Sequence, residues 1–243
     1  MDYSFLQCGE GALTVHLGDG IDPAINRQVT ALQGAIGSAG LRGITDLIPA
    51  YADLTVCYDC TVISAKALQR QLRRLLDSLS VAGQDRRRVF RLPVCYGGDY
   101  GPDLDFVCHH SGLSAQEVIA LHSAPDYLIY MLGFLPGFAY LGGLDPRLHT
   151  PRLDSPRTCI PAGSVGIGGA QTGVYPLASP GGWQLLGRTP VSVFDRQRQE
   201  PILYRAGDLV HFVPISPAEY EEIARAVAAG TYTVQVEEVP VCD

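Results

Sequence analysis

Along the chain the apolar positions change period several times, and each change marks an element. "GALTVHL" (11–17) alternates as a strand, and Asp22-Pro23 then supplies an N-cap and a first-turn proline for a helix to about Gly37. "GITDLIPA" and "ADLTVCYD" read as two strands paired around Tyr51, and Leu68, Leu72, Leu75, Leu76 and Leu79 recur at helical spacing from about Ser64. "RVFRLPVCY" supplies another strand. This order predicts a small two-layer α+β domain over residues 1–88, with the charged "GQDRRR" as the hinge to a second domain over 89–243.

Beyond Tyr96 turn residues dominate. Ser114 and Glu117 form a capping box for a helix ending near Ser123, and "DYLIYML" reads as a strand. "SVGIGG", "GVYPLA", "WQLLGRTPVSVF" and "DLVHFVPI" are short apolar segments separated by Gly and Pro, the pattern of a β-barrel or sandwich whose loops converge. "SPAEYEEIARAVAAG" is a capped helix and "TYTVQVEEV" a last strand. Both are placed in the second domain, with the option of packing back on the first.

Composition narrows the function. At 47% hydrophobic and 18% charged residues, the chain has the balance of a folded protein. No apolar run approaches the roughly 20 residues that span a bilayer, and "MDYSFLQCGEGALTVHLGDG" lacks the basic start and apolar middle of a secretion signal. A cytoplasmic protein without a membrane partner is expected. The net charge of −7 argues against a nucleic-acid partner, which needs a basic face. Lys66 is the only lysine and follows Ala65, which excludes a phosphate loop ending in Gly-Lys-Ser/Thr and a Met-flanked biotin-carrier lysine. Seven scattered cysteines fit reduced thiols, and Cys57-x-x-Cys60 has no second pair, so no metal site is expected.

The least ordinary stretch is Gly133–Arg188, whose 56 residues hold 12 of 27 glycines, 7 of 17 prolines and the single tryptophan, Trp183. Its six charged residues, Asp145, Arg147, Arg152, Asp154, Arg157 and Arg188, make it locally +2 in an acidic chain. Glycine lets backbone N–H groups approach a ligand, proline fixes the loops that present them, and arginine suits a carboxylate or phosphate. An anionic small molecule is the expected ligand. The plainer alternative is that glycine and proline turn barrel corners and the arginines form a solvated rim.

Glu117–Pro190 closely resembles the defining run of the family of 5-oxoprolinase B subunits, also known as allophanate hydrolase subunit 1 or the KipI family. The resemblance rests on His122, "GFLPGFAYL", "PAGSVGIGGAQTGVYP", "SPGGWQLLGRTP" and "GDLVHF" from Gly207, and extends weakly through "YADLTVCYD". It implies a small α+β N-terminal domain followed by a cyclophilin-like β-barrel. It further implies a protein that pairs with the homologous C subunit; together with the A subunit, the set hydrolyses 5-oxo-L-proline to L-glutamate using ATP and Mg. Related chains form half of a biotin-dependent, urea carboxylase-like carboxyltransferase, and one relative inhibits a sensor histidine kinase. Both remain alternatives here, and any biotin would arrive on another chain.

These motifs place a pocket between the "GFLPGF" and "GAQTG" loops. His122, Gln171 and Thr172 are the candidates for catalysis, His122 as acid or base. Arg157, Ser164, Gly168, Gly169, Gly173 and Arg188 are candidates for substrate or anion binding, with backbone amides from Gly168 to Gly173 as an oxyanion cradle. Phe134, Pro136, Phe138, Tyr175 and Trp183 are candidate pocket walls. Each has a structural alternative: His122 as a helix-end hydrogen-bonding group, the aromatics as barrel packing, and Ser164 as an ordinary turn residue, because Ala162 replaces the first glycine of a nucleophile elbow.

Overall fold

The computed structural model describes residues 2–79 and 86–240. The chain divides into two compact units, 1–85 and 86–243. Of the expected hinge "GQDRRR", residues 83–85 lie outside the described residues, and Arg86, Arg87 and Arg88 open a strand of the second unit.

The first unit runs β1 (Ser4–Cys8), β2 (Ala12–His16), α1 (Pro23–Ala39), β3 (Ile44–Pro49), β4 (Asp53–Tyr58) and α2 (Ala65–Asp77). Its strands form one antiparallel sheet in the order β1-β2-β4-β3. The Asp22 side chain accepts the Ala24 N–H at 2.7 Å at the start of α1, and Ser64 does the same for Ala67 at 3.3 Å at the start of α2. Leu13, Val15, Leu54 and Val56 of the sheet share a buried core with Val29, Leu32 and Ile36 of α1 and Leu68, Leu72 and Leu76 of α2. Strand β1 was not apparent from the sequence, because "SFLQC" is short and mostly exposed.

The second unit contains β5 (Arg86–Tyr96), α3 (Leu104–Ser111), α4 (Ala115–Ser123), β6 (Tyr127–Leu132), β7 (Ala139–Gly142), β8 (Arg157–Ile160), β9 (Ser164–Gly168) and β10 (Gln171–Val174). It continues with β11 (Ser179–Gly181), β12 (Gln184–Arg188), β13 (Leu209–Ile215), α5 (Pro217–Ala228) and β14 (Gln235–Pro240). Strands β12-β9-β10-β7-β6-β13-β5 pair in succession, and β5 pairs back with β12, so seven strands close a barrel. Strand β5 divides one edge between two partners: residues 86–91 pair with β14, whereas Cys95 and Tyr96 pair with Arg188 and Gly187 of β12. Pro93 falls in the gap between them. The Gly97 N–H donates to Leu186 on that edge, and strand alternation puts the proline nitrogen on the same side, where its missing donor breaks no ladder bond. The last strand therefore packs in the second unit.

The barrel interior is filled by Leu92, Ile129, Leu141, Val165, Ile167, Leu186 and Phe212, and α3 and α4 add Leu104, Val107 and Val118 to the same core. A smaller cluster of Phe138, Ile160, Tyr175, Trp183 and Leu185 is separate from it, beside the two-stranded ribbon of β8 and β11. No helix among the described residues is long and apolar enough to cross a membrane.

The units have separate cores, so their stabilities are separable. Leu92→Ala and Leu54→Ala each empty a fully buried site and should cost about 2–5 kcal/mol. Calorimetry should show the first lowering only the transition of the barrel and the second only that of the α+β unit. Equal displacement of a single transition by both would contradict independent cores.

Candidate functional site

The hairpin between β6 and β7 carries "GFLPGF". Gly133 N–H donates to Phe138 O at 3.1 Å and Phe138 N–H to Leu135 O at 2.9 Å, which closes the loop. At its tip the Leu135 N–H donates to Gly133 O at 2.7 Å, a three-residue γ-turn centred on Phe134. Phe134 has φ +63°, the only positive φ of a non-glycine among the described residues, a conformation that costs on the order of 1–3 kcal/mol. The buried Tyr204 hydroxyl anchors the loop by donating to Gly137 O at 2.9 Å.

The second wall comes from "SPGGW". Trp183 lies against β9 and β10, where the positions beneath its ring are Gly168 and Gly173. A methyl group on Gly168 would collide with the indole, and one on Gly173 would come within 3.2 Å of it. The glycines of this hairpin therefore act as empty floor for a ring. The expected oxyanion cradle is corrected accordingly: β9 and β10 pair through Gly168–Gln171 and Gly166–Gly173, and the Gly169 N–H donates to Thr150 O at 2.8 Å. "GAQTG" is a tight hairpin, with Gly169 at φ +65° in the first central position of a type II′ turn.

Between these walls lies a cavity of about 380 Å³ lined by Phe134, Phe138, Tyr140, Arg152, Pro156, Tyr175, Pro180, Gly181, Gly182 and Trp183. Four of the five expected wall residues are in it, and Pro136 is not. Phe138 is the hub, edge-on to Phe134, Tyr140, Tyr175 and Trp183 with ring centroids 5.1–5.5 Å apart. Arg152 is the one charged residue of the lining, with its guanidinium 5.9 Å from the Trp183 ring centroid. Burial raises the pKa of Tyr175, so its hydroxyl stays protonated. The cavity offers flat apolar faces and one cationic fork, chemistry that is complementary to a small carboxylate with an apolar body.

The other expected site residues lie elsewhere. His122 is fully buried in the barrel core, stacked on Phe212 at 4.9 Å. Thr172 Oγ1 donates to Gly166 O at 3.0 Å and so accepts from His122 Nε2 at 2.7 Å, leaving Nδ1 to accept from the Tyr96 hydroxyl at 2.8 Å. Burial lowers the His122 pKa to about 3. A fully buried imidazole whose two ring nitrogens are engaged by Thr172 and Tyr96 does not reach a ligand in the cavity, so the geometry gives His122 and Thr172 a structural part. Gln171 is half-buried at the start of β10, outside the cavity lining.

Arg157 Nη2 is held by Asp103 Oδ1 at 2.7 Å, while Asp103 Oδ2 accepts the Leu185 N–H at 2.6 Å. Its charge is thus matched, and the pair fixes β8 and β12 beside the cavity. Arg188 and Ser164 are cross-strand neighbours, and Arg188 reaches Tyr220 of α5. Neither Ser164 Oγ nor Arg188 Nε has a hydrogen-bond partner among the described residues. Sequence reasoning named Tyr140 as a possible wall beside Phe134, Phe138 and Trp183, and missed Arg152, Pro156 and the segment Pro180–Gly182 at the end of β11. Arg152 carried no signal that separated it from the other arginines of the stretch.

The His122 environment makes stability depend on pH. Its pKa falls from 6.5 to about 3 on folding, so between those values the unfolded chain binds a proton that the folded chain refuses. The stabilisation is complete above pH 6.5 and is lost as pH falls toward 3. Urea unfolding at pH 7.5, 5.5 and 4.5 should show stability declining more steeply in the wild type than in His122→Gln, by up to about 1.4 kcal/mol per pH unit. Parallel slopes would show that the imidazole is not the source.

Comparison with known proteins places this architecture. Residues 3–204 match the family described as carboxyltransferase domain, subdomain C and D. The 5-oxoprolinase B subunit of Bacillus subtilis (strain 168) is 42% identical over 228 residues, 90% of this chain and 95% of that protein. The crystal structure of TTHA0988 superposes with a TM-score of 0.75 at 40% identity over 84% of this chain, which spans 40% of that longer chain. The Kluyveromyces lactis urea amidolyase shares the fold, with a TM-score of 0.82 at 23% identity over 98% of this chain and 16% of the enzyme. The chain thus belongs to the family of 5-oxoprolinase B subunits, within the carboxyltransferase domains of the subdomain C and D type.

Proposed function

We propose that this chain is the B subunit of an ATP-dependent 5-oxoprolinase, which hydrolyses 5-oxo-L-proline to L-glutamate together with its A and C subunits. The observation that carries the proposal is the aromatic cavity with Arg152, supported by near full-length similarity to a protein named as the B subunit of 5-oxoprolinase. A five-membered lactam acid has an apolar ring edge for Phe138 and Trp183 and a carboxylate for the Arg152 fork.

Mechanistically, this chain binds and orients. A lactam carbonyl is a poor electrophile, and ATP held elsewhere in the complex would supply its activation, by phosphorylation of the amide oxygen. The residues present do not fit a triphosphate with its Mg: the cavity has one guanidinium, and the hairpin glycines Gly168, Gly169 and Gly173 are taken up by the β9–β10 ladder or by Thr150. No step on this chain is therefore routed through ATP. The Arg152 fork fixes the acid end and the rings exclude water from the lactam edge. No nucleophile–base pair lines the cavity among the described residues, so bond-making groups come from the partner subunits. A second reading, half of a biotin-dependent carboxyltransferase, is favoured by the family match alone.

Purified with the A and C subunits of the enzyme and supplied with ATP and Mg, the chain should release glutamate from 5-oxo-L-proline, and alone it should release none. Arg152→Met should raise KM about tenfold or more, the loss of one charge-assisted contact, while the complex still assembles. Unchanged kinetics would remove Arg152 from the site. A stable complex that carboxylates a substrate from biotin and hydrolyses no lactam would establish the second reading.

A further inference from the structure

Phe134 is anomalous on three counts that act together. Its backbone occupies the left-handed region at φ +63°, in a γ-turn, although glycines stand at positions 133 and 137 of the same loop. Glycine adopts that conformation without steric cost, so folding stability alone would favour glycine at position 134. The side chain gives little burial in return, since it is 64% exposed, the highest value among the large exposed hydrophobics of the described residues. Strain and exposure both oppose the fold, which leaves contact with something outside the chain as the reason for a phenyl ring there. The ring also stands at the cavity, edge-on to the hub Phe138 at 5.5 Å.

We propose that Phe134 is a substrate-contact residue that caps the cavity, laying its ring on the apolar edge of a small cyclic carboxylate whose acid group lies on Arg152. This rests on the cavity's assignment to 5-oxo-L-proline and adds a second point of recognition to it. The two ends divide the work: Arg152 reads charge, and Phe134 reads the closed, flat ring that separates a lactam from its open-chain hydrolysis product. The γ-turn fixes the backbone at Phe134 and the Phe138 edge supports the ring, so part of the ordering on binding is already in place.

Trp183 is the chain's only tryptophan and lies in the same cavity, so its fluorescence reports occupancy without any reaction. The full-length chain is titrated with 5-oxo-L-proline and with L-glutamate, alongside melting curves. The wild type should respond to the lactam at least tenfold more tightly than to glutamate. Phe134→Gly should weaken lactam binding about tenfold with an unchanged or higher melting temperature, and Phe134→Tyr should stay within about twofold of wild type. Wild-type affinity in Phe134→Gly would overturn the proposal, and if that variant also failed to retain the partner subunits, the ring would belong to an interface instead. A melting temperature lowered by more than about 5 °C would overturn it too, by showing that the ring supports the fold. No response of the wild type to 5-oxo-L-proline would overturn the ligand class. Tight lactam binding without turnover in the reconstituted complex would remove the oxoprolinase reading and leave the Phe134 assignment standing.

Discussion

The close approach of Trp183 to a wall paved with glycine is the constraint on which the site depends. An indole can lie against a β-hairpin only where the residues beneath it lack a side chain, and Gly168 and Gly173 meet that requirement. With the indole seated, Phe138 has a surface to meet edge-on, Tyr140 and Tyr175 complete the ring cluster, and Arg152 has an aromatic face to lie over. The Arg157–Asp103 pair then ties the strand beginning just after Trp183 to the start of α3 through the Leu185 N–H. The cavity is built by packing, with a single cation for polarity.

That arrangement separates two jobs within one barrel. The interior holds the fold together and includes a fully satisfied Tyr96–His122–Thr172–Gly166 chain, in which each donor has an acceptor. The aromatic cluster beside the β8–β11 ribbon lines the cavity instead. Thr172 in the core and Gly173 beneath the indole are consecutive residues of one strand, and alternation along that strand keeps the two roles apart.

Much of the fold was legible because it is local. The leucine stripe of α2, the proline-capped α1 and the capping boxes at Ser114 and Ser216 are short-range patterns, and each formed as its spacing predicts. The barrel itself was expected from the short strands and the family resemblance, but the seam that closes it was not legible, because pairing of Tyr96 with Gly187 joins segments some ninety positions apart and leaves no periodic trace. In the site, the aromatic walls could be read from their motifs, whereas the part played by glycine was inverted. Density of glycine signals close approach, but sequence does not say whether a ligand or a neighbouring side chain makes that approach. His122 illustrates the same ambiguity, since a motif histidine and a core histidine are spelled alike.

The seam that closes the barrel is short: only Gly187 and Arg188 of β12 pair with β5, against seven register pairs between β5 and β13. Short seams recur around the ring, with one register pair between β7 and β10 and two between β6 and β13, and Trp183 stands just before β12, four residues upstream of Gly187. At about 3.3 Å per residue, some 13 Å of backbone, with a register shift between Leu185 and Gly187, joins the seam to the cavity wall. The barrel is in this sense a clasp whose catch and whose cavity wall are cut from one strip, so the width of the cavity answers to how firmly the ring is fastened.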